Sequence, residues 1–244
     1  MILAVNQPTY FSWIGQFDLI DQVDKYIFYD DVQIVKQSWD TRNRILTNTG
    51  PLWISIPLIH NLNYKEKFFN STFISKNEIW RIKQYKTIKY SYAKAKYFSE
   101  IMPIIEELII NNKNQTLGNF NKHIIKIISE KIGIKTHFIS SSNLNSTTKI
   151  KDFRLVEICK ELKAERYLSP KGASVYIEKL NREGAFLNSG IKLMYQSYMH
   201  PEYNQLYKPF TSHLSIIDLL FNEGLENSLK IIRSGRKKPI ISNE

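Results

Sequence analysis

Two stretches of the chain concentrate side chains able to bind ligands or move protons. The first is Gln7-Pro8-Thr9-Tyr10-Phe11-Ser12-Trp13-Ile14-Gly15-Gln16-Phe17. A polar Gln7 directly after an apolar run, Pro8 fixing the next turn and Gly15 permitting close backbone approach suit the mouth of a ligand crevice. The aromatics Tyr10, Phe11, Trp13 and Phe17 can stack on a substrate or pack a helix onto a sheet, and both uses are open. The second stretch is Tyr29-Asp30-Asp31-Val32-Gln33, followed by Lys36, Trp39, Arg42, Asn43 and Arg44. Adjacent carboxylates after an apolar strand can act as acid, base or metal ligand. Side chains alternate along a strand, so only one of Asp30 and Asp31 is expected to face a site. Arg42 and Arg44 flanking Asn43 offer a guanidinium fork for phosphate or carboxylate, or else an ordinary basic turn.

A third candidate, His200, stands between an apolar stretch and Pro201, where a histidine can take a proton from an attacking amine near neutral pH. His213 merely flanks a helix start, with Thr211, Ser212 or Ser215 as the cap. Cys159 is the only cysteine, so neither an internal disulfide nor a multi-cysteine zinc site can form. It lies on an apolar helical stripe, where a buried structural thiol is expected rather than a nucleophile. No metal site is predicted. The sequence has no P-loop, no G-x-S-x-G elbow, no H-E-x-x-H and no G-x-G-x-x-G, which disfavours P-loop kinases, α/β-hydrolases and standard dinucleotide dehydrogenases.

These groups need elements to hold them. Residues 2–6 read as a strand, 11–23 as a helix, 25–30 as a second strand and 53–59 as another, whose Pro57 points to an edge or bulge. Leu117, Phe120, Ile124, Ile128 and Ile132 form one stripe of a helix ended by Gly133, and Phe153, Val156, Cys159 and Leu162 form another. Residues 110–116 are polar and Asn-rich and read as a loop. Residues 136–142 and 191–198 read as strands, and a final helix begins at Ser215 and breaks near Gly224. The alternation predicts an α/β fold, with a mainly parallel sheet flanked by helices and a helical middle segment. The expected organisation is one domain over residues 1–244, with residues 76–133 as a helical insertion.

At 43% hydrophobic, the 244 residues can bury a sizeable core. The start MILAVNQPTY reads as neither signal peptide nor membrane anchor, and no stretch reaches the ~20 apolar residues of a bilayer span. A cytoplasmic protein is expected. The net charge of +11 raises nucleic acid, a membrane surface or anionic substrates as partners. Only Arg233, Arg236, Lys237 and Lys238 cluster tightly, and no dedicated nucleic-acid module is present, so a lysine-rich solvated surface is the plainer explanation.

The run from Gln7 to Phe17, with Asp30-Asp31-Val32-Gln33 and Trp39…Arg42-Asn43-Arg44, resembles the WbqC-like family. The resemblance extends to Tyr195-Gln196-Ser197-Tyr198, His200-Pro201-Glu202-Tyr203 and the segment from Leu214 to Asn222, so it spans both ends of the chain. Where the family commonly has a Ser-Gly-x-Gly turn, this chain has Ser169-Pro170-Lys171-Gly172, which puts a phosphate cradle there in doubt. Membership implies a setting among enzymes for O-antigen, lipopolysaccharide and capsule sugars. One name attached to the family, glycine transferase, implies acyl, aminoacyl or glycyl transfer to the amine of a nucleotide-linked amino sugar. The partners implied are that sugar and an activated acyl or aminoacyl donor; no motif identifies a cofactor. On this reading Gln7, Tyr10, Trp13, Gln33, Lys36, Trp39, Arg42, Asn43, Arg44, Gln196 and Tyr203 contact substrate, while His200, Asp30 or Asp31 takes the proton. Two other classes stay open. One is an ATP-dependent adenylating enzyme, since Trp13-Ile14-Gly15-Gln16 falls where nucleotidyltransferases carry His-x-Gly-His. The other is a noncatalytic nucleic-acid-binding or scaffold protein. The two family-matching ends are expected to line one cleft, with Gln7 and Asp30 at adjacent strand ends.

Overall fold

A computed structural model of the chain describes residues 1–35, 37–59, 68–146 and 151–242. Its centre is a sheet built from β1 (Ile2–Asn6), β2 (Lys25–Phe28), β5 (His137–Ser140), β6 (Arg166–Ser169), β7 (Lys192–Tyr198) and β8 (Arg236–Ile241). The strand order is β5-β2-β1-β6-β7-β8. All neighbours pair in parallel except β7 and β8. β8 lies at the sheet edge, which accommodates its Pro239.

Alternation along the strands sorts side chains into two cores. Ala4, Tyr26, Phe28, Leu168 and Met194 join one apolar cluster, which also holds residues of α1 (Ile14–Asp21), α2 (Ile79–Tyr92), α3 (Phe98–Ile109), α4 (Leu117–Lys131) and α7 (Ile216–Ser234). Leu3, Val5, Ile27, Tyr167 and Leu193 join the other, with α5 (Lys151–Glu161) and Ile177 of the short α6 (Ser174–Ile177). A sheet covered on both faces requires strands that are apolar throughout, which is how β1 and β2 read.

The helix over residues 11–23 is shorter than its apolar pattern. Phe11 sits at φ 39, a left-handed conformation that keeps it out of α1. The α4 stripe is buried as expected, and Gly133 leaves the helix at φ 89. α7 is kinked at Gly224, with φ 74, where a Cβ would stand 2.6 Å from the Tyr97 ring. The strand expected over 53–59 is corrected. β3 (Arg42–Thr47) and β4 (Gly50–Ser55) form a separate antiparallel hairpin outside the main sheet, and Arg42 and Arg44 belong to it rather than to a loose turn.

The chain moves outward from β1 through β2 to β5, then returns to place β6 on the other side of β1. Strand order therefore reverses between β1 and β6. In open sheets of this kind ligands bind beyond the strand C-termini near that point.

Candidate functional site

The loop leaving β1 is held at nearly every carbonyl. The Asn43 side-chain amide donates to the Tyr10 and Phe11 carbonyls at 3.1 and 2.9 Å, and the Asn121 amide donates to those of Pro8 and Asp40, both at 2.8 Å. Gln16 donates to the Gln7 carbonyl at 3.3 Å and to the Tyr26 hydroxyl at 2.9 Å. The two ends of the chain meet here through the backbone. Tyr10 N–H donates to Trp39 O at 2.9 Å, Ser215 N–H to Arg44 O at 2.8 Å and Ile216 N–H to Ser12 O at 3.0 Å. Segments 7–16, 38–44 and 213–216 thus form one rigid frame.

Within that frame lies a cavity of about 370 Å³ lined by Asn6, Gln7, Thr9, Trp13, Gln16, Ser38, Trp39, Asp40, Asn43 and His213. This is near the lower end of the about 300–1,000 Å³ usual for small-molecule sites. Trp13 forms one wall, stacked on His213 with ring centroids 5.1 Å apart and meeting Tyr198 edge-on at 5.7 Å. Gly15 serves this wall directly, because a Cβ there would clash with the Trp13 ring at 2.2 Å. The close approach expected at Gly15 is made by the protein's own indole.

Beside the cavity, Arg42 and Arg44 lie on one face of the hairpin. The Arg42 guanidinium is 4.3 Å from the Trp53 ring centre, and that of Arg44 is 5.9 Å from Trp39 and 5.8 Å from Trp53. Trp39 and Trp53 are 5.4 Å apart and 47% and 44% exposed. Neither arginine forms an ion pair among the described residues, and each leaves its Nε without a hydrogen-bond partner. Arg44 also donates to the His213 carbonyl at 3.4 Å, which ties this rim to the cavity wall.

Several residues expected at the site are committed elsewhere. Tyr10 is fully buried and its hydroxyl is bonded to Gln84, so it packs the core and does not meet a ligand. Asn43 faces away from the two arginines and holds the loop, although part of it lines the cavity. Gln196 donates to Gly15 O and to Asp18 at 2.8 and 2.7 Å, joining β7 to α1. The Tyr203 hydroxyl donates to the buried Asp218 at 2.9 Å. Lys36 lies outside the described residues.

Asp30 and Asp31 point to different elements, as alternation requires. Asp30 is fully buried, ion-paired to Lys122 at 2.6 Å and bonded to the Ser142 N–H at 3.0 Å and the Ser142 hydroxyl at 3.1 Å. Burial pushes its carboxyl up, but Lys122 and Ser142 outweigh this and hold it below the ordinary range. Asp31 pairs with Arg154 and Ser141 and lines a separate groove with Gln33. Neither carboxylate lines the cavity.

His200 stands behind the Trp13–His213 wall, 6.3 and 4.9 Å from those rings, and does not itself line the cavity. Its Nδ1–H donates to the Pro201 carbonyl at 2.9 Å, leaving Nε2 as the basic nitrogen, buried and without a partner. Burial lowers its pKa to about 4, with His213 adding to the fall and the Pro201 carbonyl opposing it. His200 is half-buried and stands behind the Trp13–His213 wall, outside the residues that line the cavity, so the geometry gives it no direct access to a group bound there. The depressed pKa has a thermodynamic sign. The neutral ring stabilises the fold above about 6.5, and that contribution is lost as pH falls toward 4. Urea unfolding should therefore show wild type losing stability relative to His200→Gln by up to about 1.4 kcal/mol per pH unit in this window, less what solvent screening removes at a partly exposed ring. Superimposable pH profiles would contradict the assignment.

Three further expectations meet the structure here. Cys159 is fully buried and its thiol is pushed up to about 12 by burial, as a structural thiol should be. No residue of 169–172 adopts a positive φ, and 171–173 form a 3₁₀ turn instead of a glycine cradle. In the basic C-terminal cluster, Arg233 and Arg236 are paired with Asp21, and Arg236 also with Asp18, so only part of that charge is free. Among the described residues no group of acidic, histidine or cysteine side chains could hold a metal ion. No helix is long and apolar enough to cross a membrane.

The lining residues missed from sequence are Asn6, Thr9, Gln16, Ser38, Asp40 and His213, of which Asp40 and His213 are the titratable ones. Asp40 is 2% exposed yet lines the cavity. Its neighbours in sequence gave no sign of this, and its backbone carbonyl is held by Asn121 of α4, 81 residues away. His213 adopts φ 57, a left-handed backbone that turns its ring onto Trp13.

The fold and this cleft make the protein an open-sheet α/β protein whose cavity lies at the strand C-termini. A model of the WbqC-like protein family matches residues 7–230, and the chain belongs to that family. It is similar to an uncharacterised protein of Mycobacterium tuberculosis strain H37Rv, at 31% identity over 225 residues covering 92% of this chain and 94% of the relative. No solved structure matches the chain.

Proposed function

We propose that the protein binds a nucleotide-linked amino sugar and transfers an acyl or aminoacyl group to its amine, in the synthesis of a bacterial surface polysaccharide. The observation that carries this reading is the joining of a polar cavity without lysine or arginine among its described lining residues to a rim of two exposed tryptophans and two arginines that form no ion pair among the described residues. A cavity of about 370 Å³ accommodates a sugar but leaves the nucleotide outside it. The rim suits what remains outside: guanidinium groups for the diphosphate and indole faces for the base. In the transfer, the sugar nitrogen attacks the carbonyl carbon of the activated donor. A C–N bond forms, the leaving group departs with its electron pair, and the nitrogen, which attacks as the neutral amine, gives one proton to that leaving group.

Titration calorimetry with nucleoside-diphosphate amino sugars tests the binding half, and mass analysis of the sugar after incubation with candidate thioester or adenylate donors tests the transfer. Arg42→Ala is expected to weaken binding by about 1.5–3 kcal/mol, the range for hydrogen bonds to charged groups, with unfolding stability nearly unchanged. Arg44→Ala should behave alike. If both variants bind as wild type does, the rim is not the phosphate site. If no nucleoside-diphosphate sugar binds wild type, the whole reading fails.

A further inference from the structure

The protein carries a net charge of +11, yet among the described residues the one formal charge lining its cavity is negative. None of the lining residues is a lysine or arginine, and Asp40 is the only carboxylate among them. His213, the remaining titratable group, has its pKa lowered by burial and by Arg44, so it is uncharged at neutral pH.

Asp40 differs from the other buried carboxylates. Asp18 has Arg236, Asp30 has Lys122, and Asp218 accepts hydrogen bonds from Tyr92, Tyr203 and Gln205. Asp40, 2% exposed, accepts one long bond at Oδ2 from the Val35 N–H at 3.3 Å, is helped by Ser38, and has no cation among the described residues. A desolvated carboxylate without a counter-ion is costly to maintain. Here it is held in place by its own backbone: its carbonyl accepts from Asn121 and its N–H donates to Ser38. The indoles of Trp13 and Trp39 line the same space, and aromatic faces also favour cations.

We infer that Asp40 is the binding site for an ammonium group, so that the molecule occupying the cavity is recognised by its protonated amine. This rests on the function proposed above and supplies what that reading left unassigned. The ligand would place its diphosphate on the positive rim and its ammonium on the negative floor, and one proton would have to pass from it to Asp40 before the neutral amine attacks. The cavity would then discriminate between an amino sugar and the same sugar bearing a hydroxyl or an acylated nitrogen, because neither supplies a charge to Asp40.

The test compares wild type with Asp40→Asn, an isostere that keeps an acceptor for the Val35 N–H. Both are titrated near pH 6 with a uridine-diphosphate amino hexose and with its hydroxyl counterpart, and thermal unfolding checks that both are folded. Wild type should prefer the amine by about tenfold or more, as a charge-assisted bond requires, and Asp40→Asn should reduce that preference to within about threefold. Equal wild-type affinity for the two ligands, or a preference that survives in Asp40→Asn, overturns the inference while leaving nucleotide-sugar binding intact. If neither nucleotide ligand binds, the proposed function fails. Ligand-detected NMR with a free amino hexose against the free hexose then decides Asp40 separately: an amine preference lost in Asp40→Asn supports it, and anything else refutes it.

Discussion

Replacing Lys122 by methionine is expected to destabilise the fold by about 3–5 kcal/mol, the cost of stranding one member of a buried ion pair. Lys122 reaches from α4 to the end of β2, where its Nζ is 2.6 Å from Asp30 and 3.0 Å from the Ser140 hydroxyl. Asp30 would keep its bonds to Ser141 and Ser142, which should hold the loss toward the lower end of that range. The pH dependence has a definite sign. The folded-state pKa of Asp30 is depressed, so its contribution is present above the ordinary aspartate pKa of about 3.9 and is lost as pH falls below it. Wild type and Lys122→Met should therefore converge in stability at strongly acid pH. Chemical unfolding at pH 7 and at a series of pH values falling below 3 follows this convergence, and a loss under about 1 kcal/mol at pH 7 would rule out the pair as a support of the sheet.

Asp218→Ala should cost at least about 3 kcal/mol. Asp218 is fully buried at the start of α7 and accepts from the Tyr92 hydroxyl at 2.9 Å, the Tyr203 hydroxyl at 2.9 Å and the Gln205 amide at 2.8 Å. Alanine would leave three donors buried without an acceptor, each costing about 1–3 kcal/mol. Asp218→Asn keeps one acceptor oxygen and should fall between alanine and wild type. Unfolding midpoints order the three proteins. An alanine variant as stable as the asparagine one would mean that water replaces the carboxylate, and the network would lose its assigned role.

The sheet was legible because its central strands are covered on both faces. β1 and β2 read as unbroken apolar runs ending in polar residues at the same end, which is enough to set Gln7 and Asp30 at adjacent strand ends. The hairpin was not legible, since β3 and β4 carry Arg42, Arg44 and Trp53 on one face, expose Leu52 on the other, and show no clean apolar alternation. The site was legible as a region and less so as a set of roles. Composition marked the segments that meet at the cavity, but a side chain's role depended on partners far away in sequence. Asn43 lies 32 residues from the Phe11 carbonyl it holds, and Asp30 lies 92 residues from Lys122. Asp40 and His200 exchanged expected importance for the same reason: distant elements left one a buried carboxylate with no cation among the described residues on the cavity wall, and the other a half-buried ring behind that wall.

The pairing of α1 with the end of α7 and with β8 bears on how the protein is made. Asp18 receives the Arg236 guanidinium across 218 residues of chain, and Asp21 receives that of Arg233 across 212. At a synthesis rate of about 5–20 residues per second, Asp18 would wait roughly 11–44 s on the ribosome for its cation. Over that interval the first strand and helix can form locally, but the loop over the cavity lacks residues 213–216 that close it. The end that carries the cavity therefore becomes complete only after residues 213–216 have emerged, although nine of the ten described lining residues lie between positions 6 and 43. Contacts this distant in sequence also favour slow closure after release, since the entropy of joining the chain ends must be overcome before the pairing is gained.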